Sequence, residues 1–153
     1  MNAVARASVT IASNASTVWA ALLSAEATKA YMFGTTVSSD WVKGSPITWK
    51  GEWKGSHYED KGVVLNIEPE RELRYSHFSP REGLADNPDN YHQVRIELSA
   101  AGAQTLVSLA QDGNTTDEAR ERSTKNWVTM LESLKTYVEQ GAPRSQQQSR
   151  KSE

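Results

Sequence analysis

The chain has 153 residues, 37% of them hydrophobic and 24% charged, which suits one soluble globular unit with its own core. Seventeen Lys or Arg against 19 Asp or Glu give a formal net charge of −2, so no basic field favours a nucleic acid, and the lack of Cys excludes disulfides, thiolate metal sites and a Cys nucleophile. No apolar run approaches the ~20 residues of a bilayer-crossing helix, and Met1 to Arg6 lacks the apolar stretch of a secretion signal, so a cytoplasmic protein without membrane insertion is expected.

In chain order, Ala7-Ser8-Val9-Thr10-Ile11 alternates apolar and polar residues and reads as a half-buried strand. Ser13-Asn14-Ala15-Ser16 supplies capping residues for a short helix whose Val18, Trp19, Leu22 and Leu23 share a face. Ser24 caps a second short helix over Ala27 to Met32, which Gly34 is placed to end. From Thr35 to Asp112 strands and turns follow. Lys43-Gly44-Ser45-Pro46, Lys54-Gly55-Ser56, Asp60-Lys61-Gly62 and Ala101-Gly102 read as turns. The strands are Ile47 to Trp49, Gly62 to Ile67, Leu73 to Phe78, His92 to Leu98, and Thr105 to Gln111. Consecutive hairpins of this kind predict an antiparallel meander with one dry face, and Val9, Ile11, Val63, Leu65, Val94, Ile96, Val107 and Leu109 are expected on it.

The last element is the longest. Asn114-Thr115-Thr116-Asp117-Glu118 offers a cap, with a capping box from Thr115 to Glu118. Ala119, Ser123, Trp127, Met130, Leu131, Leu134 and Val138 then form one stripe at helical spacing, closed by Gly141 and Pro143. The expected domain spans 1–142 with 14 basic and 18 acidic residues. Residues 143–153 hold three basic residues, one acid and nothing apolar to bury, a composition that predicts a disordered tail. The fold class is α+β: a curved antiparallel sheet of six or seven strands, two short helices after the first strand, and one long helix across the sheet. A twisted sheet gripping a long helix leaves room for a ligand between them.

Further segments stand out in order along the chain: Val18-Trp19-Ala20-Ala21-Leu22, Lys43-Gly44-Ser45-Pro46 with Trp49-Lys50-Gly51-Glu52, Asp60-Lys61-Gly62-Val63-Val64, Glu68-Pro69 before Leu73-Arg74-Tyr75, Gln111-Asp112-Gly113-Asn114, and Asn126-Trp127 leading to Leu131-Glu132-Ser133-Leu134-Lys135. In this order and spacing the chain resembles the prokaryotic single-domain members of the activator of heat-shock protein 90 ATPase homologue family. The resemblance runs from Val9 to Glu139. It implies the helix-grip fold of the SRPBCC superfamily, shared with START-related and birch-pollen-allergen-like domains, and a hydrophobic cavity. Where that family commonly has Gly before the tryptophan of the last helix, this chain has Asn126, a difference that bears on how closely the helix approaches the sheet.

Five Trp and five Tyr against two Phe suit a cavity with a dry wall and a wet edge. Trp49, Tyr75, Trp127 and Met130 fall on expected inward faces and are the candidate walls, whereas Trp19 and Leu22 read as packing of the first helix. Alternation places His77 with Leu73 and Tyr75, and His92 with Val94 and Ile96, so a hairpin pairing would put both imidazoles on one side, near the loop Ser79 to Asn90. Two such residues can orient a polar ligand or carry protons; zinc would need a third ligand such as Glu82, Asp86 or Asp89. The loop itself reads equally as a cover over the cavity mouth and as a surface insertion, and His57 as exposed.

No Gly-x-Ser-x-Gly, His-Glu-x-x-His or phosphate-loop pattern is present, so neither a catalytic residue, a metal nor a cofactor is assigned. The expected activity is non-enzymatic binding of a small, mostly hydrophobic molecule, lipid-, sterol- or polyketide-like, at Trp49, Tyr75, His77, His92, Trp127 and Met130, by a monomer or weak homodimer. Two alternatives stand beside it. One is a stress-related chaperone cofactor stimulating an ATPase of the heat-shock protein 90 type. The other is a proton-transfer enzyme using His77, His92 or Tyr75.

Overall fold

The computed structural model describes residues 3–140. The expected tail at 143–153 and the helix stop at Gly141 and Pro143 lie outside the described residues. Strand β1 (Ala3–Ile11) is followed by α1 (Ala15–Leu23) and α2 (Ala25–Tyr31). Six strands come next: β2 (Thr36–Ser39), β3 (Pro46–Trp53), β4 (Ser56–Glu68), β5 (Glu72–His77), β6 (His92–Ala101) and β7 (Gln104–Asn114). Helix α3 (Asp117–Glu139) ends the described chain. The seven strands form one antiparallel sheet in the order β1-β7-β6-β5-β4-β3-β2, so β1 closes against the last strand and the rest is a meander. This is the α+β helix-grip architecture expected from the sequence.

Local chemistry explains the elements. Asn14 accepts from the Thr17 N–H at 2.8 Å to start α1, and the Ser24 hydroxyl accepts from Ala27 at 3.1 Å to start α2. The cap of α3 differs from expectation: Thr116, not Thr115, accepts from Ala119 at 3.0 Å, and Asp117 and Glu118 occupy the first turn, where the helix dipole favours acids. Lys54 and Gly55, both at positive φ, make the two-residue turn joining β3 to β4.

Strand β4 departs from the expected reading in two ways. Asp60-Lys61-Gly62 is not a turn but lies inside this 13-residue strand. Gly62 is required by crowding: a Cβ there would sit 1.7 Å from the Ser76 carbonyl oxygen. Leu65 is an extra residue between the Val64–Tyr75 and Asn66–Arg74 pairs, a bulge that reverses the in-out alternation along the strand. Val64 therefore points inward and is buried, while Val63 is exposed and Leu65 only half-buried, against the expectation for both. The other expected dry-face residues, Val9, Ile11, Val94, Ile96, Val107 and Leu109, are buried in the core. So are Trp19 and Leu22 of α1.

At 23 residues and 1.5 Å rise, α3 is about 35 Å long and crosses the concave face of the sheet. Its second half is sealed. Leu131 and Leu134 are fully buried in the core that holds Val9, Ile11, Val18 and Val107, and Val138 joins them. Beyond them Lys135 Nζ donates to the Thr10 carbonyl at 2.9 Å and to Glu139 at 2.6 Å, and Glu139 accepts from the Ala12 N–H at 2.7 Å. Among the described residues no helix is long and apolar enough to cross a membrane.

Candidate functional site

The first half of α3 lies over a different surface. Ser123, Asn126, Trp127 and Met130 face a cavity of about 650 Å³, walled on the apolar side by Met32, Phe33 and Val94 and on the polar side by Tyr58, His77, Glu82, His92 and Gln111. Volume and composition fall in the range of small-molecule sites, apolar with a few convergent polar groups.

Pairing of β5 with β6 sets His77 directly opposite His92, as the alternation predicts, and their rings stack with centroids 6.3 Å apart. Each imidazole is backed by a carboxylate. His77 Nε2 lies 3.0 Å from Asp60 Oδ2, which reaches it from β4, and His92 Nε2 lies 3.3 Å from Glu82 in the loop after β5. An ionised carboxylate only accepts, so His77 carries its proton on Nε2. His92 has an acceptor facing each ring nitrogen, the Asp112 carbonyl 3.0 Å from Nδ1 and Glu82 3.3 Å from Nε2, so a neutral ring can donate to only one of them and a doubly protonated ring donates to both.

Gln111 links this pair to α3. It is buried, opposite Val94 in β6, with Trp127 Nε1–H donating to its Oε1 at 2.6 Å. Its Nε2 lies 3.0 Å from the Asp112 carbonyl and 3.2 Å from His92 Nδ1. Just beyond, β7 carries one residue more than β1 between the Ala5–Gln111 and Ala3–Asn114 pairs. Gly113 occupies this bulge at φ +81°, and a Cβ there would lie 2.4 Å from His92 Nδ1. Asn114 closes the corner, donating to the Ala3 carbonyl and accepting from Ser123 Oγ at 2.8 Å.

Of the six residues singled out by sequence, His77, His92, Trp127 and Met130 line the cavity. Trp49 and Tyr75 do not. They lie one layer beneath, buried in the core with rings 5.3 Å apart, and Trp49 supports His77 edge-on at 5.1 Å. Burial pushes the Tyr75 phenol well above its ordinary pKa. Sequence alone did not single out Asp60, Gln111 or Gly113 for the site, and it named Glu82 only as a possible third ligand to a metal. Gln111 had a signal: it shares the parity of Val107 and Leu109, so a polar residue on the dry face was visible. Asp60 was hidden by the β4 bulge, since only with Val64 turned inward does the alternation carry back to Asp60.

The loop between β5 and β6 is anchored at its base. Lys61 pairs with Asp86, the Tyr91 hydroxyl donates to Asp86 at 2.6 Å, and the Tyr91 ring stacks on Phe78 at 4.9 Å. Asp86 is thereby directed to Lys61 and away from the imidazoles. Among the described residues no group of three or more His, Asp or Glu side chains is placed to hold a metal ion. His57 is exposed.

A family model described as activator of Hsp90 ATPase homolog 1-like protein matches residues 12–139. The solution structure of ChR145 from Cytophaga hutchinsonii is similar at 48% identity and a TM-score of 0.80, over 91% of this chain and 95% of that one. The solution structure of the Aha1 dimer from Colwellia psychrerythraea is similar at 20% identity and a TM-score of 0.69, over 90% and 96% of the two chains. DynU16, from the dynemicin biosynthetic locus, is similar at 16% identity and a TM-score of 0.74; 92% of this chain aligns to 48% of that one. The last two likenesses concern the fold alone. No curated protein matches the chain.

Proposed function

Because this chain belongs to the family of activator of Hsp90 ATPase homolog 1-like proteins, we propose that it uses the helix-grip cavity to bind a small, mostly apolar molecule, lipid-, sterol- or polyketide-like. The observation that carries the reading is the cavity of about 650 Å³ under the first half of α3, apolar along Met32, Phe33, Val94, Trp127 and Met130 and polar at His77, His92 and Gln111. Apolar burial at roughly 25 cal/mol per Å² supplies most of the affinity, and the polar end sets orientation. The neighbour from a biosynthetic locus fits this reading in fold.

The test is native mass spectrometry with a thermal-shift screen against fatty acids, sterols and aromatic polyketides. A one-to-one complex with a concentration-dependent rise in Tm is expected. Trp127→Ala should weaken it. A screen in which nothing binds, with Trp127→Ala indistinguishable from the parent, removes the reading.

The family match supports a second reading, association with a chaperone through the protein's surface. A pull-down with the cognate chaperone and an ATPase assay test it, and an unchanged rate at high concentration dismisses it. A proton-transfer enzyme would use the same imidazoles, and its sign would be a pH-dependent turnover lost in His77→Ala.

A further inference from the structure

The polar end of the cavity has a directional chemistry. Asp60 lies behind His77 and accepts from its Nε2–H at 3.0 Å, which leaves Nδ1 as the acceptor nitrogen of a side chain that lines the cavity. No described residue bonds that Nδ1. Trp49 holds the ring edge-on from beneath and His92 stacks on it, so its orientation is fixed by packing on both sides. The charge around the cavity is one-sided. Glu52 and Glu82 are among the lining residues, Asp60 is behind His77, and no Lys or Arg lines the cavity among the described residues. A ligand bearing a carboxylate would meet like charge in a partly enclosed space with no basic partner, a costly arrangement. A neutral hydroxyl meets the opposite situation, an imidazole acceptor on a side chain that lines the cavity.

We infer that the site selects an apolar molecule bearing a neutral hydroxyl group, whose O–H donates to His77 Nδ1, with Asp60 as the positioning residue that holds the ring in the accepting tautomer. The inference rests on the ligand-binding reading above and names the ligand class for that same cavity.

Three probes of one shape, biphenyl, para-phenylphenol and para-phenylbenzoate, test it by titration of the tryptophan fluorescence of the intact protein. The hydroxyl compound should bind about tenfold tighter than biphenyl, the size of one well-made buried hydrogen bond, and the carboxylate should bind more weakly than the hydroxyl compound. His77→Phe should lose the preference for the hydroxyl compound over biphenyl, read as the ratio of the two affinities within the variant. Nitrogen NMR should show His77 protonated at Nε2 in the parent, and Asp60→Asn should mix the tautomers and reduce the same preference. Equal binding of all three probes, or tightest binding of the carboxylate, overturns the inference and leaves the cavity reading standing. Binding of none overturns both. The parent comparison requires no variant to fold, and a His77 protonated at Nδ1 would sink the proposal on its own.

Discussion

The two halves of α3 belong to one amphipathic stripe yet do opposite things. From Leu131 to Val138 the stripe meets aliphatic side chains of β1, β7 and α1 and is sealed, with Leu131 and Leu134 fully buried. From Ser123 to Met130 it meets strand positions occupied by Tyr58, His77, His92 and Gln111, and a cavity remains. The helix pattern therefore does not decide where the protein is hollow. The sheet decides it, by placing branched aliphatics under one half and longer polar side chains, tied to one another, under the other.

The largest effect that separates the halves is truncation at equivalent positions of the stripe. Leu134→Ala removes a fully buried side chain from a sealed region and should cost about 2–5 kcal/mol. Trp127→Ala removes more atoms but from a half-buried ring beside existing empty space, so it should cost less, about 1–2 kcal/mol, including its bond to Gln111. Denaturant unfolding of the two variants checks the order, and ligand titration should reverse it: affinity falls for Trp127→Ala and is kept by folded Leu134→Ala. A Trp127→Ala protein less stable than Leu134→Ala would mean that both ends of the helix are equally structural.

The same division governed what could be read from the sequence. The sealed half was legible because aliphatic residues alternate with polar ones on β1, β6 and β7 and recur at helical spacing on α3, and burial follows such patterns directly. The pairing of His77 with His92 was legible for the same reason. What alternation cannot show is a bulge, because one inserted residue reverses the faces on either side. Leu65 did this on β4, turning Val64 and Asp60 inward in place of Val63 and Leu65. Trp49 and Tyr75 show a second limit. Alternation identifies the inward face but not the depth, so it does not separate a side chain at the cavity surface from one supporting it.

A smaller effect should come from Gly113→Ala at the open end. The residue adopts φ +81°, and the new Cβ would approach His92 Nδ1 to 2.4 Å. The backbone strain alone is worth about 1–3 kcal/mol. The ring must also move, breaking its 3.0 Å bond to the Asp112 carbonyl. Chemical shifts of His92 and the ligand affinity should change together, while methyl signals of Leu131, Leu134 and Val138 stay in place. Changes that spread into those methyls would show the two halves to be mechanically coupled.

The smallest effect lies at the far end, where Glu139 ties α3 to the start of the β1–α1 connection. The Lys135 ammonium and then the Ala12 N–H hold its carboxyl below the ordinary glutamate value of 4.5. A carboxylate lowered on folding stabilises above its unfolded pKa, and that stabilisation is lost as pH falls through the folded value. Glu139→Gln should therefore be less stable than the parent near neutral pH, with the difference closing below about pH 4.5. Glu72, held low first by its Asn66 bond, and Asp86, held low by Lys61, add their own acid dependence to both proteins, and the difference curve cancels it. The group is exposed, so raised salt should shrink the difference. Affinity for a cavity ligand should follow the parent at every pH, because Glu139 closes the sealed half and touches nothing at the open one. A shift in affinity with Glu139→Gln would place the clasp in control of the cavity and dissolve the separation between the two ends of the helix.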